Sequence, residues 1–208
     1  MSKLTVIDYG LSNISSILKA FEYLGVKAEV TNHPSKLLDA EKIVIPGVGA
    51  FPEGMKNLKT LGLAELIIEK KKQNIPILGI CLGMQMLFTK GFEFEETDGL
   101  NLIPGEVIEL KKDQSSEIKV PLIGWRKTFF FQKNANIDTS IFHAKSFYYL
   151  HSYYCVTKEK IFNLAYYDFY GEKILAVVLK KKIWGVQFHP EKSGKDGLDF
   201  LKFFTEQK

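Results

Sequence analysis

Cys81 stands in the run Ile77-Leu-Gly-Ile-Cys-Leu-Gly-Met-Gln-Met-Leu-Phe88, where an apolar, strand-like segment meets a helix-like one across Gly-x-Cys-x-Gly. This is the pattern of a nucleophile elbow, a sharp strand-to-helix turn that holds its central side chain at the mouth of a sheet. Gly79 and Gly83 lack the Cβ atoms that would collide at such a turn. A thiol at a helix N-terminus is also favoured as thiolate by the helix dipole. The competing reading of an unpaired cysteine is a small core hydrophobe, and the flanking glycines weigh against it.

A nucleophilic thiol needs a base. Of the four histidines (His33, His143, His151 and His189), His189 ends the apolar run Ile183-Trp-Gly-Val-Gln-Phe188, and Pro190 stops strand pairing after it. Glu191 lies two residues on, where a tight turn can bring its carboxylate to the far side of the imidazole. Cys81, His189 and Glu191 then have the roles of nucleophile, base and orienting acid in an acyl transfer. Alone, His189 reads equally as a satisfied structural histidine. Acyl transfer also needs an oxyanion hole. Gly47, Val48 and Gly49 of Pro46-Gly-Val-Gly49 offer accessible backbone N–H groups, and Leu82, directly after the nucleophile, offers another. The same glycines are compatible with a mere tight turn. Gln85 falls one helical turn after Cys81 on the same face, placed to hold a polar substrate head or simply to face solvent. His151, Ser152 and Tyr153 sit at a predicted strand end, where backbone and hydroxyl can grip an α-amino acid; otherwise the segment is a strand with its histidine outward.

The elements that must position these groups follow from periodicity. Leu4–Ile7, Lys27–Thr31, Lys42–Ile45 and Ile75–Ile80 read as strands, with helices over Ile14–Leu24, roughly Pro52–Lys72, and onward from Cys81. Short apolar strands alternating with helices predict a doubly wound, mostly parallel α/β sheet covered on both faces. Sites in such sheets lie at the carboxyl ends of the strands, and Asp8-Tyr-Gly10, Pro46-Gly-Val-Gly49 and Cys81 all fall there. The second half is strand-rich: Val107–Leu110, Thr128–Phe131, Ser146–Val156, Leu164–Asp168, Ile174–Leu179 and Ile183–Phe188, with a turn at Gly171-Glu172. These complete the sheet and add antiparallel strands before a last helix, Gly197–Phe204.

The chain of 208 residues with a formal net charge of +4 fits one α/β domain over residues 1–208. The lysine runs Lys70–Lys72 and Lys180–Lys182 lack interleaved stacking aromatics, so nucleic acid is not expected. The first run suits a helix C-terminus and the second a hairpin turn. Two cysteines without metal or disulfide spacing fit a reducing cytoplasm. Met1-Ser-Lys-Leu4 leads straight into a strand, with no signal peptide expected, and no apolar run reaches the ~18 residues of a membrane span. Neither metal nor cofactor is expected.

Gly79-Ile-Cys-Leu-Gly-Met-Gln85, Pro46-Gly-Val-Gly49 and His189-Pro-Glu191 together resemble the class I, triad-type glutamine amidotransferases. Asp8-Tyr-Gly10, Pro46-Gly-Val-Gly-Ala-Phe51, Tyr149-Leu-His-Ser-Tyr-Tyr154 and His189-Pro-Glu-Lys-Ser193 narrow the resemblance to glutaminase subunits of imidazole glycerol phosphate synthases, over essentially the whole chain. The resemblance implies that Cys81 attacks glutamine to form a γ-glutamyl thioester while His189 shuttles the proton. Ammonia then passes to a (β/α)8-barrel cyclase, within a heterodimer, for imidazole glycerol phosphate and aminoimidazole carboxamide ribonucleotide. It also implies a glutaminase nearly silent alone, because the Pro46–Gly49 peptide is not turned toward the oxyanion. Pro121, Gly124, Trp125 and Arg126 fall where the family meets its partner.

Two segments depart from the family. Pro121-Leu-Ile-Gly-Trp-Arg126 stands where the family usually has Pro-His-x-Gly-Trp-Asn, and Ser12-Asn13 replaces its Gly-Asn. The same glutaminase feeding a sugar-amidating synthetase of surface-polysaccharide synthesis is therefore the alternative. A cysteine peptidase or esterase on a similar fold is disfavoured by the His-Pro-Glu spacing, and a catalytically dead binding module by the presence of all three triad residues.

Overall fold

A computed structural model describes residues 3–110, 120–131 and 139–207. The first half runs β1 (Leu4–Ile7), α1 (Ile14–Tyr23), β2 (Ala28–Thr31), α2 (Pro34–Leu37), β3 (Lys42–Gly47), α3 (Phe51–Thr60), α4 (Leu63–Lys72), β4 (Ile77–Cys81) and α5 (Leu82–Met86). The second half adds β5 (Phe88–Gly91), β6 (Thr97–Asp98), β7 (Ile103–Glu109), β8 (Leu122–Phe130), β9 (Ser146–His151), β10 (Tyr153–Thr157), β11 (Asn163–Phe169), β12 (Glu172–Lys180), β13 (Ile183–Val186) and α6 (Gly194–Glu206).

Nine strands form the main sheet in the order β2-β1-β3-β4-β13-β12-β11-β8-β9. The first five are parallel to their neighbours and the rest join antiparallel. The expected doubly wound sheet with added antiparallel strands is therefore present, the two kinds of pairing meeting at β13. Side-chain alternation along each strand feeds two cores. Val6, Val44, Leu78, Ile80 and Trp184 pack with α1 and α6 on one face. Ile7, Ile43, Ile45, Ile77 and Ile183 pack with α3, α4 and α5 on the other. Burying each such aliphatic side chain contributes roughly 1.5–3 kcal/mol, so strands apolar on both faces are stable only in the middle of such a sandwich.

Three expectations change. One helix over Pro52–Lys72 is in fact two, because Gly62 adopts φ 66° between α3 and α4. One strand over Ser146–Val156 is also two. The chain turns at Ser152, whose carbonyl accepts from Leu110 N–H at 2.8 Å, and β10 joins a separate four-stranded sheet, β10-β7-β5-β6. The β5 and β6 strands of that small sheet carry no clear alternation in sequence. The last strand pairs only to Val186, which leaves Gln187, Phe188 and His189 as a bridge toward the site. The turn at Lys180–Lys182 and the basic last turn of α4 are as expected, except that Lys70 reaches across to the Leu38 carbonyl.

Candidate functional site

β3, β4 and β13 are adjacent and parallel, so Gly47, Cys81 and the segment leading to His189 emerge at one edge of the sheet. Cys81 is held at φ 53°, ψ −108° between β4 and α5. A non-glycine residue there costs of order 1–3 kcal/mol and persists only if its surroundings fix it. The fixing is steric. A Cβ on Gly83 would lie 1.7 Å from the Ile45 carbonyl oxygen, and one on Gly79 would lie 2.5 Å from the Gly83 oxygen. The two glycines let α5 lie directly on the sheet, and the elbow follows. Cys81 stands at the N-terminus of α5 as expected, but with five residues this helix has a smaller dipole than a full-length one.

The charge beside the thiol is that of His189. Its Nδ1–H donates to Glu191 Oε1 at 2.9 Å, and the two side chains are 2 % and 3 % exposed. A 3-10 turn over Pro190–Lys192 brings the carboxylate round. Ser193 Oγ donates to the His189 carbonyl at 2.6 Å and accepts from Tyr148 N–H at 2.9 Å, pinning the turn to β9. The other ring nitrogen, Nε2, is buried without an aligned protein partner. Burial alone would lower the His189 pKa. The neighbouring Cys81 sulfur, followed by the Glu191 carboxylate, outweighs it and raises the pKa to about 10. His189 is thus held as imidazolium at neutral pH, an acid placed beside the Cys81 thiol.

A cavity of about 400 Å³ opens over the thiol. Most of the residues expected to bind substrate or oxyanion line it: Val48, Gly49, Leu82, Gln85, His151, Ser152 and Tyr153, with Pro121 at its edge. Gly47, His189 and Glu191 do not line it. His151 is no second base. Its Nδ1–H donates to the Tyr153 carbonyl at 2.9 Å and its Nε2 accepts from Tyr167 Oη at 3.1 Å. Burial, opposed by the Tyr153 bond and reinforced by His189, lowers its pKa to about 4, so it stays neutral. Its ring points inward, contrary to the outward-histidine reading. Gln85 is buried, and its amide nitrogen donates to the Tyr153 carbonyl at 2.9 Å and Gln187 Oε1 at 3.3 Å. Only its oxygen is left for a ligand, a narrower role than a full amide grip.

Of the expected oxyanion donors, one backbone N–H is free to point at a ligand and one is engaged elsewhere. Leu82 opens α5, where an N–H has no carbonyl within the helix to meet. The Val48 N–H instead donates to the Leu11 carbonyl at 2.8 Å. It is flanked by Gly47 and by Gly49 at φ 107°, so this peptide can reorient at little conformational cost.

Sequence reasoning missed two groups. Gln187 is fully buried and directs Nε2 at Cys81 Sγ, 3.7 Å away; it is the one polar residue in the run Ile183–Phe188, a signal available in the sequence. Glu93 brings a carboxylate to the cavity, with Oε2 accepting from Phe51 N–H at 2.7 Å. Burial raises its pKa and that bond opposes the rise. An anionic group here suits an α-ammonium ion, and nothing in the local sequence marks it. Of the expected partner residues, Trp125 is 52 % exposed on β8, beside Ile123 at 58 %, while Arg126 Nη1 folds back onto the Trp125 carbonyl at 2.9 Å. Leu122 is buried opposite His151, so the departure there lies in the core and not on the outer face of β8. Among the described residues no group of His, Cys, Asp and Glu is arranged to hold a metal, and no helix is long and apolar enough to cross a membrane.

The profile of the family "Glutamine amidotransferase class-I" matches residues 5–206. "Imidazole glycerol phosphate synthase subunit HisH" of Chlorobium chlorochromatii (strain CaD3) is 41% identical over 201 residues, covering 97% of this chain and 98% of the relative. The protein of the same description from Carboxydothermus hydrogenoformans is 44% identical over 206 residues, again covering 97% and 98%. A chain of the "Structure of PurLQS from Thermotoga maritima" superposes with a TM-score of 0.74 at 20% identity, over 98% of this chain and 97% of that one; at that identity the likeness concerns the fold.

Proposed function

The chain belongs to the class-I glutamine amidotransferases, and from that premise we propose that it is the glutaminase subunit of an imidazole glycerol phosphate synthase in histidine biosynthesis, the description its relatives carry. The observation behind the chemistry is the buried His189–Glu191 pair beside Cys81, whose thiol lines a cavity of amino-acid size. The observation behind the pathway is identity above 40% along nearly the whole length of both relatives. On this reading residues 1–208 act as one amidotransferase domain in the cytoplasm, where its two unpaired thiols stay reduced.

Glutamine enters with its α-ammonium toward Glu93 and its carboxamide over Cys81. The thiolate attacks the amide carbon, and the oxyanion forms against the Leu82 N–H. Imidazolium at His189 passes its proton to the amide nitrogen, the C–N bond breaks, and ammonia leaves a γ-glutamyl thioester. His189, now neutral, takes a proton from water as the water attacks. Glutamate departs and the ion pair is restored. Glu191 keeps the ring oriented and charged. Gln187 and Gln85 hold the thiol and the β10 strand in place.

With the Val48 N–H donated to Leu11, the hole lacks one donor, and a missing donor costs ~10²–10³ in rate. The partner, a (β/α)8-barrel cyclase in a heterodimer, turns this peptide and takes up the ammonia. The exposed Ile123 and Trp125, near Pro121 and Gly124 on β8, suit that docking face. Glutamate release from glutamine, measured alone and with a barrel cyclase plus its ribonucleotide ligand, tests the proposal. Strong stimulation is expected, with Cys81→Ala abolishing glutamine-dependent but not ammonia-dependent turnover of the complex. Slow, unstimulated release would keep the glutaminase and overturn the histidine-pathway acceptor, with a sugar-amidating synthetase next to be tried.

A further inference from the structure

The two lysine runs, far apart in sequence, meet in space. Lys71 and Lys72 end α4, and Lys180, Lys181 and Lys182 form the β12–β13 turn. All five line one concavity of about 890 Å³, with Asn74, Ile75 and Ile183. It lies at the amino ends of β4 and β13, the end of the sheet opposite Cys81. The two loops are tied together by the Ile77 N–H, which donates to the Lys182 carbonyl at 3.0 Å, and by the Ile183–Ile77 pairing. The cations are therefore held on a common frame.

Among the described residues their charge is largely uncompensated. None of the five takes part in the ion pairs found among the described residues, and no acidic residue lines the cavity. The C-terminal carbonyls of α4 offset roughly half a charge. Lys180 rests over the Phe162 ring at 5.1 Å, a contact that brings no opposite formal charge. Lys71 is half-buried, and burial followed by repulsion from Lys180 and Lys181 lowers its pKa, as expected for a cation crowded by others. Lys181 also occupies φ 58°, a position that Gly or Asn would fill with less strain. Clustered cations around a concave floor match an anion with several adjacent negative charges. The absence of aromatic lining argues against the stacking that single-stranded nucleic acid uses.

We propose that this basin binds a di- or triphosphate chain, carried by a nucleoside polyphosphate or by inorganic polyphosphate. Calorimetric titration of the full-length protein with inorganic tripolyphosphate, adenosine triphosphate and inorganic phosphate tests it. Saturable one-to-one binding of tripolyphosphate is expected, with phosphate at least ~10-fold weaker. The double variant Lys71→Gln/Lys181→Gln should weaken tripolyphosphate by ~10-fold or more, with the circular dichroism spectrum and glutaminase activity unchanged. Lys56→Gln/Lys59→Gln, which removes two exposed cations of α3, should leave it intact. Tighter binding of adenosine triphosphate than of tripolyphosphate would identify the nucleoside form as the source, and equal binding the bare chain. Absence of saturable binding, equal loss in the α3 control, or preference for a single-stranded oligonucleotide would overturn the proposal.

Discussion

Replacing Glu191 by Gln removes one negative charge from a pair that water does not screen. His189 Nδ1 and Glu191 Oε1 are 2.9 Å apart, with both side chains almost wholly buried. At an effective dielectric of about 20, opposite charges centred about 4 Å apart attract by ~4 kcal/mol. The glutamine carbonyl still accepts from Nδ1–H, retaining ~1 kcal/mol as a neutral hydrogen bond. A net loss of ~1.5–3 kcal/mol lowers the His189 pKa from about 10 by ~1–2 pH units. The folded value lies above the unfolded one of about 6.5, so the stabilisation His189 provides is complete below that pH and disappears as pH rises through about 10. In Glu191→Gln that upper limit moves down. Imidazolium carries protons on both nitrogens, and in the neutral ring the introduced amide oxygen still accepts from Nδ1–H, so the working tautomer is kept. Activity should therefore fall ~10–100-fold, well short of the ~10⁴ that an acid-to-amide change costs a serine triad. Titration of the His189 ring by NMR, together with partner-activated glutamate release, measures both quantities. An unmoved His189 titration would refute the ion-pair account, and so would a ~10⁴ loss of turnover.

Gly83→Ala places a methyl group 1.7 Å from the Ile45 carbonyl oxygen, where backbone cannot yield; a stability loss above ~3 kcal/mol is expected in urea unfolding, and wild-type stability would contradict the packing argument. Glu93→Gln should raise KM for glutamine ~10-fold or more with little change in kcat, the split expected of a carboxylate proposed to meet the α-ammonium rather than the reacting amide; steady-state kinetics showing the opposite split would remove Glu93 from substrate binding. Trp125→Ala deletes the exposed indole of β8 and should weaken cyclase association by ~30-fold, the cost of a ~2 kcal/mol hot spot, in a calorimetric titration. Arg126→Ala should have a smaller effect, since its guanidinium is already donated to the neighbouring carbonyl; loss exceeding that of Trp125→Ala would reverse the assignment.

The elbow was legible because its signal is local: two glycines, a strand before and a helix after. The His189–Glu191 pair was legible for the same reason, as one tight turn sets the contact. The parallel half of the sheet followed from alternating apolar runs. What escaped depends on contacts distant in sequence. Ser152 breaks a strand because Leu110 donates to it, and no composition around Ser152 announces this. Gln85 reads as free to hold substrate until Tyr153 and Gln187 are seen to occupy its amide nitrogen. Gly62 was a local breaker that an otherwise helical pattern concealed. Glu93 lies beyond β5, in a segment without periodicity, and reaches the cavity only because Phe51 N–H holds it there.

The hydrogen bond from Val48 to Leu11 makes the proposed gate a question of linkage. If the docked cyclase favours the peptide with its N–H turned to the thiol, each molecule must exchange a contact of ~1 kcal/mol, about a fivefold factor, for one that exists only with an oxyanion present. Coupling of this kind is reciprocal in binding free energy. Any ligand that places a negative oxygen above Cys81 and recruits Val48 must strengthen subunit association by the same factor by which the partner strengthens that ligand. A tetrahedral adduct on one subunit would therefore act as an adhesive for the other, and the complex would be held most firmly while ammonia is being released.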